Sequence, residues 1–115
     1  MNSTKINYIE LPARSLEATK RFFQQAFGWE FVDYGPEYAA IQNAGLDGGF
    51  YQSDLVAKTS TGSALVVLYS KDLEQSLKSV EDAGGKILKP IFDFPGGRRF
   101  QFTCPSGNEY AVWSE

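Results

Sequence analysis

The chain has 115 residues, of which 43% are hydrophobic and 22% are charged, and its formal net charge is -3 at pH 7. This length and composition predict a single globular domain with its own hydrophobic core. The acidic balance argues against nucleic acid as a partner, because that function depends on a clustered basic face and basic residues here form nothing larger than pairs such as Arg98-Arg99. No apolar run reaches the roughly 20 residues of a membrane helix, and the N-terminus lacks the apolar segment of a signal peptide.

The chain contains one cysteine, Cys104, and no histidine. A lone cysteine excludes an internal disulfide and is typical of a reducing compartment, so we expect a cytoplasmic protein. The lack of histidine removes the commonest metal ligand and the commonest proton-transfer group near neutral pH. Catalytic triads built on histidine are therefore excluded, and any chemistry must rely on carboxylates, tyrosines, arginines or shape.

The first half of the chain predicts a strand, a helix and three further strands. Alternation in residues 5–11 predicts a strand that ends at Pro12. Ser15 is a suitable N-cap for a helix of about twelve residues, and Gly28 supplies a left-handed end. Three short strands follow at residues 29–34, 38–42 and 48–52.

The second half of the chain predicts the same order of elements. Residues 53–63 are small and polar, which indicates a linker. The apolar run at residues 64–69 predicts a buried strand. Asp72 then caps a helix that ends at Gly84-Gly85, and strands follow at residues 86–94, 98–103 and 109–113.

The start of the first helix recurs about half a chain length later. Ser15-Leu16-Glu17 aligns with Asp72-Leu73-Glu74, and Gly28 then aligns with Gly85. A fixed internal offset of this kind indicates a duplicated unit. We therefore predict an α+β domain of two tandem βαβββ modules, with module one at about 4–52, a linker at about 53–63 and module two at about 64–115.

Several stretches of this sequence resemble the vicinal oxygen chelate superfamily, which includes glyoxalase I, extradiol dioxygenases, methylmalonyl-CoA epimerase and the bleomycin-resistance proteins. The resemblance implies an eight-stranded mixed sheet that curls into an incompletely closed cup, with the helices on its outer face. It also implies a homodimer. The stretches are Tyr8-Ile-Glu-Leu-Pro, Ser15-Leu-Glu-Ala, Phe22-Phe23, Phe27-Gly-Trp-Glu-Phe and the segment from Phe102 to Trp113.

The resemblance also implies where the metal ligands of such enzymes would lie, namely on the first and last strands of each module. These positions fall on Tyr8, Leu65, residues 50–52 and Ala111. Leucine and alanine have no donor atom for a metal. We therefore predict that this protein has no metal site of that kind, and the sequence indicates no other cofactor.

The cup itself is expected to remain as a pocket for a small molecule. Alternation places residues in register with the lost ligands inside it, and Arg99 and Gln101 join them if Phe100 and Phe102 pack beneath the helices. Such a pocket is mainly apolar and aromatic with few polar groups, as small-molecule sites usually are. The predicted lining residues are Tyr8, Glu10, Leu65, Val67, Tyr69, Arg99, Gln101, Glu109, Ala111 and Trp113.

These features support a metal-independent protein that binds a small organic molecule. One alternative is a lyase, isomerase or related enzyme in which Glu10 is the general base and Arg99 or Tyr8 stabilises an enolate. Burial would suit Glu10 to this role, whereas a structural ion pair with Arg99 or a place at a dimer edge would explain it without chemistry. A second alternative is a non-catalytic dimeric interaction module.

Overall fold

The structure is a computed structural model that describes residues 3–115. Its elements follow the predicted order, with βαβββ occurring twice. The first module contains β1 (Tyr8–Ala13), α1 (Leu16–Phe27), β2 (Glu30–Asp33), β3 (Tyr38–Gln42) and β4 (Asp47–Gln52). The second contains β5 (Val66–Tyr69), α2 (Leu73–Asp82), β6 (Lys86–Phe94), β7 (Gly97–Thr103) and β8 (Glu109–Ser114).

The eight strands form two mixed sheets of four, one from each module. The first sheet has the order β1-β4-β3-β2 and the second has the order β5-β8-β7-β6. In each sheet the first strand of the module pairs in parallel with the last strand, and the other pairs are antiparallel. The predicted α+β fold is confirmed, and the strands of residues 3–115 do not close into a barrel.

Both helices begin and end where local signals place them. The Ser15 side chain accepts a hydrogen bond from the Ala18 amide at 3.1 Å, and Asp72 does the same for the Gln75 amide at 3.1 Å. Gly28 ends α1 with a φ of 71°, a left-handed conformation that glycine adopts without steric cost. The duplicated caps therefore do the same work in both modules.

Two predicted strand boundaries are wrong for the same reason. Pro12 lies inside β1, and the run at 64–69 gives a strand that starts at Val66 and leaves Val67 and Tyr69 exposed rather than buried. Both β1 and β5 are edge strands. An edge strand tolerates a proline that cannot donate to the ladder, and it packs only one side on the core.

The linker is held against the second module. It contains a short 3₁₀ helix, Thr59–Thr61. The Ala57 amide donates to Asn108 Oδ1 at 2.9 Å, and the Glu109 amide donates to the Ala57 carbonyl at 2.9 Å. The same Asn108 side chain donates to the Pro12 carbonyl at 2.7 Å, so it joins the linker, β1 and β8.

The two modules share one hydrophobic core, because α1 packs on both sheets. The Phe23 ring lies 5.6 Å from Phe50 on β4 and 5.2 Å from Tyr110 on β8. The Phe22 ring lies 5.9 Å from Phe102 on β7. Alternate residues of each strand point away from this core, and we call these two surfaces the first open face and the second open face.

No helix within residues 3–115 is long and apolar enough to cross a membrane.

Candidate functional site

Three side chains of the first open face form a hydrogen-bonded network. The hydroxyl oxygens of Tyr8 on β1 and Tyr38 on β3 are 2.6 Å apart, and the Tyr38 hydroxyl donates to Glu10 Oε2 at 2.9 Å. Gly49 on β4 lies between these strands, and a Cβ built there would be 1.9 Å from the Tyr38 hydroxyl oxygen. Tyr38 therefore crosses directly over Gly49 to reach β1.

The direction of the hydrogen bonds in this network is fixed by the single hydroxyl hydrogen of Tyr38. Because that hydrogen goes to Glu10, the Tyr8 hydroxyl must donate to Tyr38. Burial, followed by the hydrogen bonds with Tyr8 and Glu10, raises the pKa of Tyr38 above its ordinary value. Tyr38 is consequently a protonated donor at neutral pH, and the Tyr8 oxygen keeps its lone pairs for another partner.

A groove of about 410 Å³ adjoins this network on the first open face. Three of its eight lining residues are tyrosines, and Asp47 is the one charged residue among the described residues of its lining. The lining residues are Tyr8, Tyr34, Tyr38, Ala40, Ile41, Gln42, Asp47 and Gly48.

The second open face is covered by its own aromatic side chains. Trp113 contacts Tyr69 and Phe94, with ring centroids at 5.1 Å and 6.2 Å. The guanidinium of Arg99 lies 5.4 Å from the Phe92 centroid and 5.8 Å from that of Phe94. The positive charge of Arg99 thus lies beside two aromatic rings.

A chain of hydrogen bonds leads from Arg99 through Gln101 and Glu109 to Thr59 in the linker. Arg99 Nη2 donates to Gln101 Oε1 at 3.1 Å, and Gln101 Nε2 donates to Glu109 Oε2 at 2.7 Å. The amide and hydroxyl of Thr59 donate to Glu109 Oε1 at 3.0 and 2.9 Å. Arg99 Nε is buried and has no hydrogen-bond partner among the described residues.

The Glu109 carboxylate is ionised and fully engaged. Burial raises its pKa, but the hydrogen bonds from Thr59 and Gln101 and the nearby charge of Lys89 lower it more, so the net pKa lies below its ordinary value. Glu109 therefore anchors the linker and leaves no oxygen free for a ligand.

The structure divides the predicted pocket residues between the two open faces. Tyr8 and Glu10 meet on the first, as predicted from their alternation. Leu65 lies just before β5 and is half-buried. Within residues 3–115 no hydrogen bond, ion pair or ring contact joins the two groups. The residues on the second open face are Val67, Tyr69, Arg99, Gln101, Glu109, Ala111 and Trp113.

Glu10 is neither buried nor paired with Arg99, although the sequence suggested both. It is exposed, so the burial that would suit it to general-base chemistry is not present in the chain. Its partner is Tyr38, and Arg99 bonds to Gln101 instead, so the two do not form an ion pair.

The sequence reasoning missed aromatic residues on both open faces. Ala39 and Ile41 face the core, so alternation along β3 places Tyr38 on the first open face. The predicted lining residues of the first module came from β1 alone and therefore did not include it. Alternation did not place Phe92 and Phe94 because two register shifts in β6, one on each side of Lys89, interrupt it.

A larger cavity of about 530 Å³ lies on the helix side, between the two sheets. Core-facing residues such as Leu11, Val66 and Val112 line it together with the loop at residues 43–46. It reaches the edge of the second open face at β5, because Val67 and Tyr69 also line it.

The sequence of residues 5–112 matches the family model of the Glyoxalase/Bleomycin resistance protein/Dioxygenase superfamily. The chain belongs to this superfamily. No curated protein gives a significant match to the sequence.

Solved structures of the glyoxalase superfamily share this fold. A glyoxalase-related enzyme from Fulvimarina pelagi is 23% identical, with a TM-score of 0.75 over 96% of this chain and 88% of that chain. The fosfomycin resistance protein FosX from Listeria monocytogenes is 15% identical, with a TM-score of 0.80 over 97% and 93%. An integron cassette protein from Vibrio cholerae is 22% identical, with a TM-score of 0.71 over 99% and 97%. At these identities the likeness is one of fold.

The residues at the superfamily's metal positions do not fit a metal. The Tyr8 hydroxyl already bonds to Tyr38, and Leu65 and Ala111 have no donor atom. On β4, Phe50 is buried in the core. The described residues contain no group of three or more His, Cys, Asp or Glu that could hold an ion.

Proposed function

We propose that this glyoxalase-superfamily protein binds a small organic molecule on its open sheet faces, as a homodimer and without a metal ion. The observation that carries the proposal is the groove of about 410 Å³ on the first open face. Its walls include Tyr8, which stands at a metal position of the superfamily and instead belongs to a hydrogen-bonded network with Tyr38 and Glu10.

The chemistry of the groove suits a small molecule better than a water-filled surface depression. Tyrosine rings give a large contact area and place a hydroxyl at one end, and a few fixed polar groups among apolar walls are typical of ligand sites. Tyr38 is held by two hydrogen bonds over Gly49. A wall that is already ordered costs little entropy when the ligand binds.

The exposed rings support a homodimer. Tyr8, Tyr51 and Tyr69 are 45%, 36% and 49% exposed, and β1 and β5 are both unpaired edge strands. A second copy that places its second open face against the first open face would cover these rings and enclose the groove. Sedimentation velocity should give twice the protomer mass of 12.8 kDa. A protein that stays monomeric at micromolar concentration would overturn this part of the proposal.

Binding is tested by a fragment screen monitored with ¹H–¹⁵N correlation spectra. We expect shift changes clustered on β1, β3 and β4. The variant Tyr38→Phe should weaken the hits about tenfold or less, because it removes a hydroxyl with two partners. Tyr51→Phe is the matched control, since it removes a hydroxyl from the same face that has no partner among the described residues. Equal effects of the two variants would contradict a role for the network.

Metal independence is tested by titrating the protein with Zn²⁺, Ni²⁺ or Mn²⁺ in a thermal-shift assay. We expect no stoichiometric stabilisation, because Leu65 and Ala111 at the superfamily positions have no donor atom and the Tyr8 hydroxyl is bonded to Tyr38. Saturable binding of one ion per protomer that is lost in Tyr8→Phe would overturn this part of the proposal. A cytoplasmic location stays a prediction based on the lone cysteine.

A further inference from the structure

The charged groups at the groove are all acidic. Among residues 3–115, Asp47 is the only charged residue in its lining, and Glu10 contacts the network behind it through Tyr38. No lysine or arginine lines the groove. An occupant with a negative charge would meet repulsion here, whereas a cation would be attracted.

These carboxylates are not neutralised within the chain. The ion pairs among residues 3–115 use the acidic residues Glu17, Asp33, Glu74 and Asp82. Neither Asp47 nor Glu10 takes part in an ion pair, and Glu10 accepts a single hydrogen bond, which leaves its Oε1 free. Both charges therefore remain available to a ligand.

The hydroxyl network adds acceptors rather than donors. The hydrogens of Tyr38 and Tyr8 are both used inside the network, so the Tyr8 oxygen presents lone pairs to the groove. The third ring, Tyr34, is 65% exposed and stands at the groove wall. Tyrosine faces attract cations through the ring quadrupole.

We propose that the first open face binds an organic cation, with an ammonium group held among the rings of Tyr8, Tyr34 and Tyr38 and the carboxylate of Asp47. Glu10 adds a second negative charge from behind Tyr38. This inference rests on the proposed function and specifies the charge class of its ligand. Aromatic walls with two separated carboxylates favour a bulky alkylammonium over a metal ion, which requires several converging oxygen ligands.

The experiment compares three probes of similar shape and different charge by ¹H–¹⁵N spectra of the full chain. The probes are choline, the uncharged 3,3-dimethylbutan-1-ol and the anionic 3,3-dimethylbutanoate. We expect choline to bind about tenfold more tightly than the alcohol, with shifts clustered on β1, β3 and β4, and the anion to bind more weakly than both.

Substitutions in the groove test whether its residues cause the preference for choline over the uncharged alcohol. Asp47→Asn should weaken choline about fivefold and leave the alcohol unchanged, whereas Asp54→Asn, an exposed aspartate of the linker, should change neither. Tyr34→Leu should weaken choline, and Tyr34→Phe should restore it because the ring remains. Preserved spectra show that each variant is folded.

The outcomes separate this inference from the proposed function. If the alcohol or the anion binds the groove as tightly as choline, or if Asp47→Asn leaves choline unaffected, the charge class is wrong and small-molecule binding still holds. If no probe of any charge shifts the groove resonances, both proposals fail.

Discussion

The two open faces have the same fold and strand order and opposite chemistry. The first carries a groove, exposed tyrosines and unpaired carboxylates. On the second, Trp113 packs against neighbouring rings, and the guanidinium of Arg99 lies beside two phenylalanines, although Tyr69 remains exposed. The difference shows that two modules with equivalent N-caps and a shared core can present different open faces.

The physical reason lies in what each side of a strand contacts. Core-facing residues such as Phe50 and Phe102 meet α1 and one another in a shared core, where a change of volume is costly. Open-face residues contact solvent or a ligand, so they tolerate substitution. The proposed function therefore depends on the open faces rather than on the fold.

The two open faces keep their positions only if the modules are held in a fixed arrangement. The Asn108 side chain contributes to this arrangement by joining the second module to the linker and to β1. It is fully buried and bonds to the linker and to β1. We expect Asn108→Ala to lower the free energy of unfolding by about 3 kcal/mol, because two buried backbone groups lose their partner. Urea denaturation measures this value, and a loss below about 1 kcal/mol would show that other groups replace the bonds.

A matched pair of truncations compares the packing of the two faces directly. Trp113→Ala removes contacts with Tyr69 and Phe94 and should cost about 2 kcal/mol of unfolding free energy, since the side chain is partly buried. Tyr8→Ala should cost about 1 kcal/mol or less, because Tyr8 is 45% exposed. Equal losses in urea denaturation would contradict the view that only the second face is packed on itself.

The smallest expected effects concern pH, and they have opposite directions on the two faces. The folded pKa of Glu109 is lowered, so its contribution to stability is present above the unfolded pKa of about 4.3 and is lost as the pH falls through the folded value. The folded pKa of Tyr38 is raised, so its contribution is present below about pH 10 and is lost above it.

Substitutions at Glu109 and Tyr38 test whether these residues cause the pH dependence of the unfolding free energy. Glu109→Gln should flatten the decline of stability in acid, and Tyr38→Phe should flatten the decline in alkali, as measured by urea denaturation across the pH range. A Glu109→Gln protein with an unchanged acid slope would show that other carboxylates set it.

The helix ends could be predicted from the sequence because each depends only on residues close by in the chain. Ser15, Asp72 and Gly28 specify helix ends through contacts with their own neighbours. The limits of β1 and β5 were missed because edge position depends on strand order, which no local pattern contains. Within the candidate site, alternation placed Tyr8 and Glu10 on one face of β1 but did not bring Tyr38 to them.

The division of the predicted pocket into two faces follows from a contact that spans the chain. Because α1 packs on β4 and on β8 through the single ring of Phe23, both sheets turn the same side inward. Strand alternation fixes which residues share a face, and it carries no information about which sheet a helix will join. Long-range packing of this kind lies beyond single-sequence reasoning.

The bond from Asn108 to the Pro12 carbonyl also has a consequence for the order of folding. It connects residues 96 positions apart, so nearly the whole chain must be closed into a loop before it forms. Contacts with so large a separation form after the nucleus in most small domains. We therefore expect Asn108→Ala to speed unfolding far more than it slows refolding, which stopped-flow kinetics in urea would show as a shift of the unfolding limb alone.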